Sequence, residues 1–218
     1  PPAQILADRT TIIVSLKAQC DTVNEKVLSM IKDQPLFEHR AEDTDMLGNP
    51  LTEDMKKSLS EKRERMPDVV RLKKGALVTV RRNLRQADGL VNGRQAIVES
   101  CQAECRTIII RSLCGQHVWP IVPITQTIND FGEQRFKRKQ YPLSLGWACT
   151  VHRIQGMTLE NVIVVLGEKF FDSGQAYVAL SRTKTAAGLK LVAFDPERIY
   201  LSDYYRKILE WFDNHDLF

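Results

Sequence analysis

The sequence has no run of 18 apolar residues, so it predicts no membrane-spanning helix. It also has no Gly-x-x-x-x-Gly-Lys-Ser/Thr phosphate loop and no apolar strand that ends in an Asp-Glu pair. The 218 residues therefore lack the usual means of cradling a nucleoside triphosphate and of holding its magnesium ion. No secretory leader is visible, and Pro1 as the first residue leaves an upstream targeting signal open.

Cysteine is scarce, and the five residues fall at irregular spacing. An odd, scattered set indicates a reducing compartment and no disulfide framework. Cys101, Cys105, Cys114 and His117 are four residues of types that bind zinc, but their spacing is not that of a standard knuckle pair. A zinc-stabilised interaction domain is therefore one alternative, and small buried or hairpin cysteines are the other.

The composition is that of an ordinary globular protein. Hydrophobic residues make up 43% and charged residues 27% of the chain, which is long enough for one or two domains with a real core. The formal net charge is +4 and the pI is about 8.8. This mildly basic balance fits nucleic-acid binding without demonstrating it.

The stretch from Leu143 to Leu191 organises the chain, because its hydrophobic period changes along its length. Trp147, Val151 and Ile154 repeat at helical spacing, and Val162–Leu166 is an apolar run of buried-strand length. Helical spacing returns around Tyr177, Leu180 and Ser181, and a second apolar run covers residues 189–194. Alternating helices and buried strands predict a parallel sheet flanked by helices.

Polar residues in this stretch sit at the ends of elements, where ligands bind in an open α/β sheet. Thr150, His152, Gln155 and Gly156 cluster where the first helix is predicted to end. Gly156 suits a backbone that approaches a ligand closely. Arg182 lies near the end of the second helix, where a guanidinium can stabilise charge on a transferring phosphoryl group.

These residues carry a family resemblance. The segment from Thr150 to Leu159, Thr-Val-His-Arg-Ile-Gln-Gly-Met-Thr-Leu, resembles motif V of superfamily 1B helicases. The segment from Gly174 to Arg182, Gly-Gln-Ala-Tyr-Val-Ala-Leu-Ser-Arg, resembles motif VI. The pair is most similar to petite-integration-frequency (PIF-type) DNA helicases and their Helitron-type relatives, with RecD more distant. Arg153 replaces the usual Lys, and Ile154 replaces a small residue.

Two further blocks extend the resemblance. The predicted strand from Thr10 and helix Lys17–Ile31 resemble motif IV, with Ser15 at a family DNA-phosphate contact and Asn24 at a later motif position. A strand that ends in a hydroxyl residue before a helix also suits a phosphate through the free N–H groups. The third block, Leu72-Lys-Lys-Gly through Asn92-Gly93, matches a PIF-type segment and contains a strong tight-turn signal.

The resemblance implies a RecA-like α/β lobe with an inserted SH3-like antiparallel barrel. The expected domains are residues 1–74 and 141–218 for the lobe and 75–140 for the barrel. Thr107–Leu113 and His117–Ile124 read as a hairpin, and Trp119 is predicted to pack inside the barrel. Residues 51–59 and 202–212 each predict an amphipathic helix.

The densest basic cluster runs from Arg135 to Lys139. Phe136 and Tyr141 provide the aromatic interleaving of single-strand grooves, so Lys137 and Arg138 are predicted DNA contacts. The alternative is a solvated charge run, with even weight on both.

The resemblance covers only the C-terminal half of a helicase and assigns roles to residues. ATP and Mg²⁺ would be held mainly by an N-terminal RecA-like lobe of the same protein, and Arg182 would act in trans on the nucleotide. Gln155, Gly156, Gln175 and Tyr177 would contact nucleotide. Single-stranded DNA would be gripped and moved in the 5′ to 3′ direction. The predicted DNA contacts are Ser15, Arg82, Asn92, Thr150, His152, Lys137 and Arg138.

The resemblance further implies a nuclear protein of DNA replication, repair or recombination, with the mitochondrion as the other location. A non-catalytic nucleic-acid-binding module, left without a motor partner, stays open as an alternative function. A full-length sequence without a phosphate loop upstream would favour this alternative.

Overall fold

The structure, a computed structural model, describes residues 10–53, 55, 66–129, 135–155, 158–165, 174–193 and 206–207. In chain order the strands are β1 (Thr11–Val14), β2 (Phe37–Arg40), β3 (Glu42–Thr44), β4 (Val69–Leu72), β5 (Leu77–Val80), β6 (Gln95–Gln102), β7 (Thr107–Ser112), β8 (Val118–Ile121), β9 (Ile124–Asn129), β10 (Arg135–Gln140), β11 (Leu143–Leu145), β12 (Ala148–Thr150), β13 (Val162–Val165) and β14 (Leu189–Val192). The helices are α1 (Lys17–Met30) and α2 (Gln175–Leu180), with 3₁₀ turns at Val151–Ile154 and Ala186–Gly188. Across these ranges we find no helix with the length and apolarity needed to cross a membrane.

The chain forms two compact units. One contains Pro1–Met30 and Trp147–Phe218, and the other is the continuous segment Ile31–Gly146. We call them the parallel unit and the antiparallel unit. The lobe and barrel boundaries expected at 75 and 140 stay predictions.

The parallel unit is built on a four-stranded parallel sheet in the order β12-β1-β13-β14. Ile12 pairs with Ala148 on one side of β1 and with Ile163 on the other. All four residues of β1 are buried, as expected for an interior strand covered on both faces. The apolar runs at 11–14, 162–165 and 189–192 were thus correctly predicted as strands.

The two faces of this sheet bury different side chains. On one face, Cys20 of α1 packs with Ile12, Val14 and Ala148. On the other, Ile13 and Val164 pack with residues of α2 and of the 3₁₀ turn Val151–Ile154. This alternation follows from the two-residue period of a strand. The predicted helix after β1 is confirmed, ending at Met30.

The helix predicted around residues 147–154 was wrong. Ala148–Thr150 instead forms β12, and only one 3₁₀ turn follows it. Parallel pairing of this segment with β1 satisfies its backbone in the sheet, which overrides the helical spacing of its apolar residues. Val151 and Ile154 are nevertheless buried, because residues three apart share a side of a 3₁₀ turn.

The antiparallel unit contains three sheets, ordered β3-β10-β9, β11-β5-β6-β7-β8 and β2-β4. The predicted hairpin is confirmed as β7 and β8, with Gly115 at a φ of 78° in its turn. Trp119 is buried, and its ring stacks on His117 at a centroid distance of 5.6 Å. The tight turn at Asn92-Gly93 is also confirmed, with Arg94 N–H donating to Val91 O at 3.1 Å.

Two predicted helices fall largely outside the described residues. Of residues 51–59, the structure describes Glu53 and Met55 in a helix. Of residues 202–212, it describes Arg206 and Lys207 in a helix.

Candidate functional site

In the parallel unit, Ser15 and Thr150 lie at the carboxyl ends of two neighbouring strands, β1 and β12. Val14 pairs with Thr150 in parallel register, and Ser15 follows directly after β1. The Ser15 hydroxyl donates to Gln19 Oε1 at 3.1 Å, and Leu16 N–H donates to the same oxygen at 3.2 Å. Gln19 therefore closes the start of α1 and fixes the hydroxyl of Ser15 beside it.

His152 is exposed by the geometry of the 3₁₀ turn. Since Val151 and Ile154 point inward, His152 and Arg153 between them face solvent. Thr150, at the end of β12, is half-buried, and Gln155, after the turn, is exposed. The predicted ligand residue Gly156 lies outside the described residues. The strand end thus places polar side chains at the surface over a buried apolar base.

Asn24 is a positioning residue whose contacts the sequence did not reveal. It is buried on α1, and its Nδ2 donates to Ala148 O at 3.2 Å while its Oδ1 accepts from Ala148 N–H at 2.9 Å. An amide side chain that satisfies both backbone groups of one residue fixes that residue strongly. Asn24 therefore holds β12 in place, and with it Thr150 and the turn that carries His152.

Arg182 lies just after α2, and neutral groups hold its guanidinium. Its Nε donates to Val178 O at 2.8 Å and its Nη2 donates to Ser181 Oγ at 2.7 Å. In the described ranges no carboxylate lies within ion-pair distance of this guanidinium, which is half-buried. Its direction is therefore fixed while its charge stays uncompensated. The serine one position earlier is the sequence signal for this arrangement.

The backbone of Arg182 joins the two motif segments. Leu159 N–H donates to Arg182 O at 2.8 Å, and Lys184 N–H donates to Leu159 O at 3.3 Å. Leu159 and Thr183 form an isolated parallel bridge. The end of the predicted motif V and the end of motif VI are thus adjacent in space.

The two predicted nucleotide residues on α2 lie in different surroundings. Gln175 is only 6% exposed, and its Oε1 is buried with no hydrogen-bond partner among the described residues. Tyr177 is 71% exposed. Positions two apart point to different sides of a helix, so Tyr177 alone of this pair is at the surface.

Three of the five cysteines have raised pKa values, and the described residues include no metal-binding group of His, Cys, Asp or Glu side chains. Burial raises the pKa of Cys149 to about 12 and the pKa of Cys20 to about 11, so both are neutral thiols at physiological pH. Burial likewise raises the pKa of Cys101 to about 11. Throughout the described part of the chain, no three His, Cys, Asp or Glu residues form a group that could hold a metal ion. The zinc alternative at Cys101, Cys105, Cys114 and His117 has no support.

The structure contradicts the prediction that Arg138 contacts DNA. Its side chain is 3% exposed, and Nε and Nη2 donate to the two carboxylate oxygens of Asp43, each at 2.7 Å. Nη1 contacts Asp68 at 2.9 Å and donates to Met66 O at 2.7 Å. Burial alone would lower the pKa of Arg138, but the hydrogen bonds and charge of Asp43 raise it. Arg138 is a buried structural ion.

The aromatic residues beside this cluster are also buried, so the predicted base-stacking groove is wrong. Phe136 belongs to a core cluster and Tyr141 is 1% exposed. Inward and outward positions alternate along β10, which the basic composition of the strand concealed. Lys137 is half-buried, and its Nζ donates to Met46 O at 3.0 Å.

Arg82 and Asn92 lie in the connection between β5 and β6. Asn92 is exposed, and its backbone N–H donates to Asn83 Oδ1 at 2.8 Å. Arg82 is half-buried. Both belong to the antiparallel unit, whereas Ser15, Thr150, His152 and Arg182 belong to the parallel unit.

The parallel sheet, with polar residues at the carboxyl ends of β1 and β12, defines an α/β lobe of the RecA-like type. Solved structures with this fold include the Pif1 helicase from Candida albicans, with a TM-score of 0.77 and 26% identity over 94% of this chain and 49% of that chain. The Bacteroides Pif1 bound to ssDNA matches with a TM-score of 0.69 and 22% identity, over 95% of this chain and 46% of that chain.

Curated relatives give the family, although no family model matches. The chain is 43% identical over 130 residues to the ATP-dependent DNA helicase PIF1 of Homo sapiens, covering 59% of this chain and 20% of that protein. It is 35% identical over 195 residues to the ATP-dependent DNA helicase PIF6 of Trypanosoma brucei brucei, covering 87% of this chain and 24% of that protein. The chain belongs to the PIF1 type of superfamily 1B helicases, as a C-terminal region. It spans less than half the length of these relatives.

Proposed function

We propose that this chain is the second motor lobe of an ATP-dependent DNA helicase that moves along single-stranded DNA in the 5′ to 3′ direction. The names of the curated relatives support ATP-dependent action on DNA. Solved neighbours were crystallised with single-stranded DNA and with ADP-AlF4. We propose a nuclear location, with the mitochondrion as the other one, because the names of the relatives support action on DNA.

The observation that carries the proposal is the state of Arg182. Its guanidinium is aimed by a carbonyl and a hydroxyl, and its charge has no carboxylate partner among the described residues. A fixed, uncompensated cation is what stabilises charge building on a transferring γ-phosphoryl group. We assign Arg182 as the arginine finger that acts on a nucleotide held by another lobe.

The nucleotide contacts of this lobe are proposed at Gln155, Gly156, Gln175 and Tyr177. Gln155 and Tyr177 are exposed and therefore accessible to a ligand, whereas Gln175 is buried. The buried Oε1 of Gln175 lacks a partner among the described residues, so this amide has hydrogen-bonding capacity left to use. These residues orient and sense the nucleotide, while Arg182 acts on its charge.

The proposed DNA contacts of the parallel unit are hydroxyl and imidazole groups at the carboxyl ends of its strands, and those of the antiparallel unit are considered separately. Thr150 and His152 suit contacts to phosphate oxygens, because both carry hydrogen-bond donors. Ser15 remains a proposed contact, but it is buried and its hydroxyl donates to Gln19 Oε1, so a phosphate would have to replace Gln19 as the acceptor. Arg82, Asn92 and Lys137 remain proposed contacts in the other unit. Arg138 is excluded by its burial.

The remaining parts belong to a first RecA-like lobe of the same protein. That lobe would bring the phosphate loop and the carboxylates that hold Mg²⁺, since this chain has neither a phosphate-loop motif nor an Asp-Glu strand end. We assign β5, β6, β7 and β8 of the five-stranded sheet to the SH3-like insert, while β11 in the same sheet lies beyond the expected boundary at 140. Short antiparallel strands joined by tight turns support that assignment.

The test compares the 218-residue chain with the full-length protein. We expect the chain alone to show no ATP turnover and no unwinding, and the full-length protein to show turnover stimulated by single-stranded DNA. The chain alone should still bind single-stranded DNA weakly, without sequence preference and with affinity that falls steeply as salt rises. ATP turnover by the chain that Arg182→Ala abolishes would contradict the split site. Salt-independent binding would contradict the phosphate grip.

A further inference from the structure

Residues 81–94 connect β5 to β6 in a loop that is held by its own backbone hydrogen bonds. We call it the arginine loop. Leu84 N–H and Arg85 N–H both donate to Leu90 O, at 3.0 and 3.1 Å, and Leu90 N–H donates back to Arg85 O at 2.9 Å. Gly93 N–H donates to Val80 O at 2.8 Å at the base. Leu90 is only 1% exposed and anchors the loop in the core. Its shape is therefore set before any ligand arrives.

This loop concentrates positive charge. It contains four arginines, at positions 81, 82, 85 and 94, and its only acidic residue is Asp88. Arg85 and Arg94 are exposed, and neither has an ion-pair or side-chain hydrogen-bond partner in the ranges that the structure describes. The loop has no aromatic residue, so it offers cations for phosphates and no platform for stacking bases.

Two other arginines of the same unit, the half-buried Arg71 and the exposed Arg106, are in a different state. Arg71 Nε lies 2.8 Å from Glu38 Oε2, and Arg106 Nη1 lies 3.4 Å from Glu42 Oε1. Glu38 is held in its charged form, since the hydrogen bond from Arg71 lowers its pKa. These two arginines are already neutralised, whereas Arg85 and Arg94 are not.

The base of the arginine loop lies beside the turn of the β7–β8 hairpin. Ala96 pairs with Ser112 in antiparallel register, and Arg94 and Cys114 each lie two positions beyond this pair. Cys114 is exposed, and the hydrogen bond with Ser112 lowers its pKa, with a smaller contribution from the charge of Arg94. Cys105 is the other exposed cysteine. It lies just before the opposite end of β7, whose six residues span about 20 Å at 3.4 Å per residue.

We propose that the arginine loop is a nucleic-acid phosphate site in which Arg85 and Arg94 are additional contacts. The proposal rests on the DNA-binding function proposed above and extends it. Because the loop offers cations without stacking groups, its contribution does not depend on the bases. It serves the backbone of a single strand or of a duplex equally.

The first experiment measures binding of 218-residue variants to single-stranded and duplex DNA over a range of salt. We expect Arg85→Gln/Arg94→Gln to reduce the slope of log affinity against log salt by about 1.4 for single-stranded DNA, from roughly 0.7 per phosphate contact. The matched control is Arg71→Gln/Arg106→Gln, which removes the same net charge from ion-paired positions and should leave the slope unchanged. Equal effects of the two variants would show a general charge effect and overturn the proposal.

The second experiment uses the exposed cysteines as internal reporters. Bound DNA should slow modification of Cys114 by neutral N-ethylmaleimide several-fold and leave Cys105 unaffected. Protection by polyglutamate but not by DNA would identify the loop as a site for acidic peptides and overturn the proposal. If the unmodified chain bound no DNA at all, the proposed function itself would fail. If it bound normally and the loop variant matched it, only this inference would fail.

Discussion

Arg138 on strand β10 and Arg182 after helix α2 are both fixed by hydrogen bonds, but by opposite kinds of partner. Arg138 is buried and shared between the carboxylates of Asp43 and Asp68. Arg182 is half-buried and held by the carbonyl of Val178 and the hydroxyl of Ser181. The carboxylates offset the charge of Arg138 and fix its direction, whereas the neutral partners of Arg182 fix only its direction.

The difference separates structural from functional cations better than local charge density does. A carboxylate partner offsets the desolvation of a buried guanidinium but leaves little field for a ligand. Neutral acceptors orient a guanidinium and leave its charge for an incoming phosphate. Arg138 of β10 therefore contributes to the fold, while the role proposed for Arg182 is to act on a ligand.

The largest effect should come from Arg182→Ala in the full-length protein. A contact formed mainly in the transition state lowers the barrier without adding much ground-state affinity. We expect ATP turnover at saturating single-stranded DNA to fall by a factor on the order of 10³. Steady-state turnover and a nucleotide-binding titration measure the two quantities.

Two controls test the assignment of Arg182. Arg182→Lys should restore little turnover, because an ammonium cannot reproduce the planar two-pronged contact. The melting temperature should hardly change, since the substitution leaves no core cavity. Near-normal turnover in Arg182→Ala would make Arg182 a surface residue and remove the difference between the two arginines.

Arg138→Met should instead affect stability. It leaves the Asp43 carboxylate, only 22% exposed, without its bidentate partner, and Met66 O without its donor. Breaking such a pair on one side costs about 3 kcal/mol of unfolding free energy, which urea denaturation can measure. Adding Asp43→Asn should recover part of this loss by removing the uncompensated charge.

Lys139→Met is the matched control on the same strand. Its Nζ lies 3.7 Å from Glu42 Oε2 and the side chain is 43% exposed, so the loss should stay within about 1 kcal/mol. Equal losses of unfolding free energy for Arg138→Met and Lys139→Met would mean that the burial of Arg138 does not add to the contribution of its ion pairs.

The smallest effect should follow Ser181→Ala. Arg182 would lose one neutral hydrogen bond but keep the one to Val178 O. A net contribution of about 1 kcal/mol per hydrogen bond predicts a roughly fivefold drop in turnover, with unchanged nucleotide affinity. Ser181→Thr retains a hydroxyl and should restore most of the turnover. A Ser181→Ala variant with unaltered turnover would show that Val178 O alone aims the guanidinium.

Much of the parallel unit was predictable, because its strands are short apolar runs separated by clear changes of period. The strands at 11–14, 162–165 and 189–192 and helix α1 all follow local patterns. The error at 148–150 has a tertiary cause. Whether that segment becomes a strand depends on pairing with β1, whose residues lie far away in the sequence.

The candidate site was predictable only in part. Motif spacing predicted Arg182, Thr150 and His152 as site residues. It did not predict that Val178 O and Ser181 Oγ orient the guanidinium of Arg182. The partner of Arg138 is Asp43, 95 positions away, and no local pattern could reveal that pair. Asn24 is a similar case, since its bond partner Ala148 is 124 positions away.

The position of β1 also determines the order in which the units can fold. Both neighbours of β1, β12 and β13, follow the antiparallel unit in the chain. During synthesis β1 therefore emerges with both edges unpaired, and its contacts must wait for a long loop to close. The antiparallel unit is continuous from Ile31 to Gly146 and can form meanwhile. The parallel sheet is consequently completed last, although its strand β1 is made before the whole of the antiparallel unit.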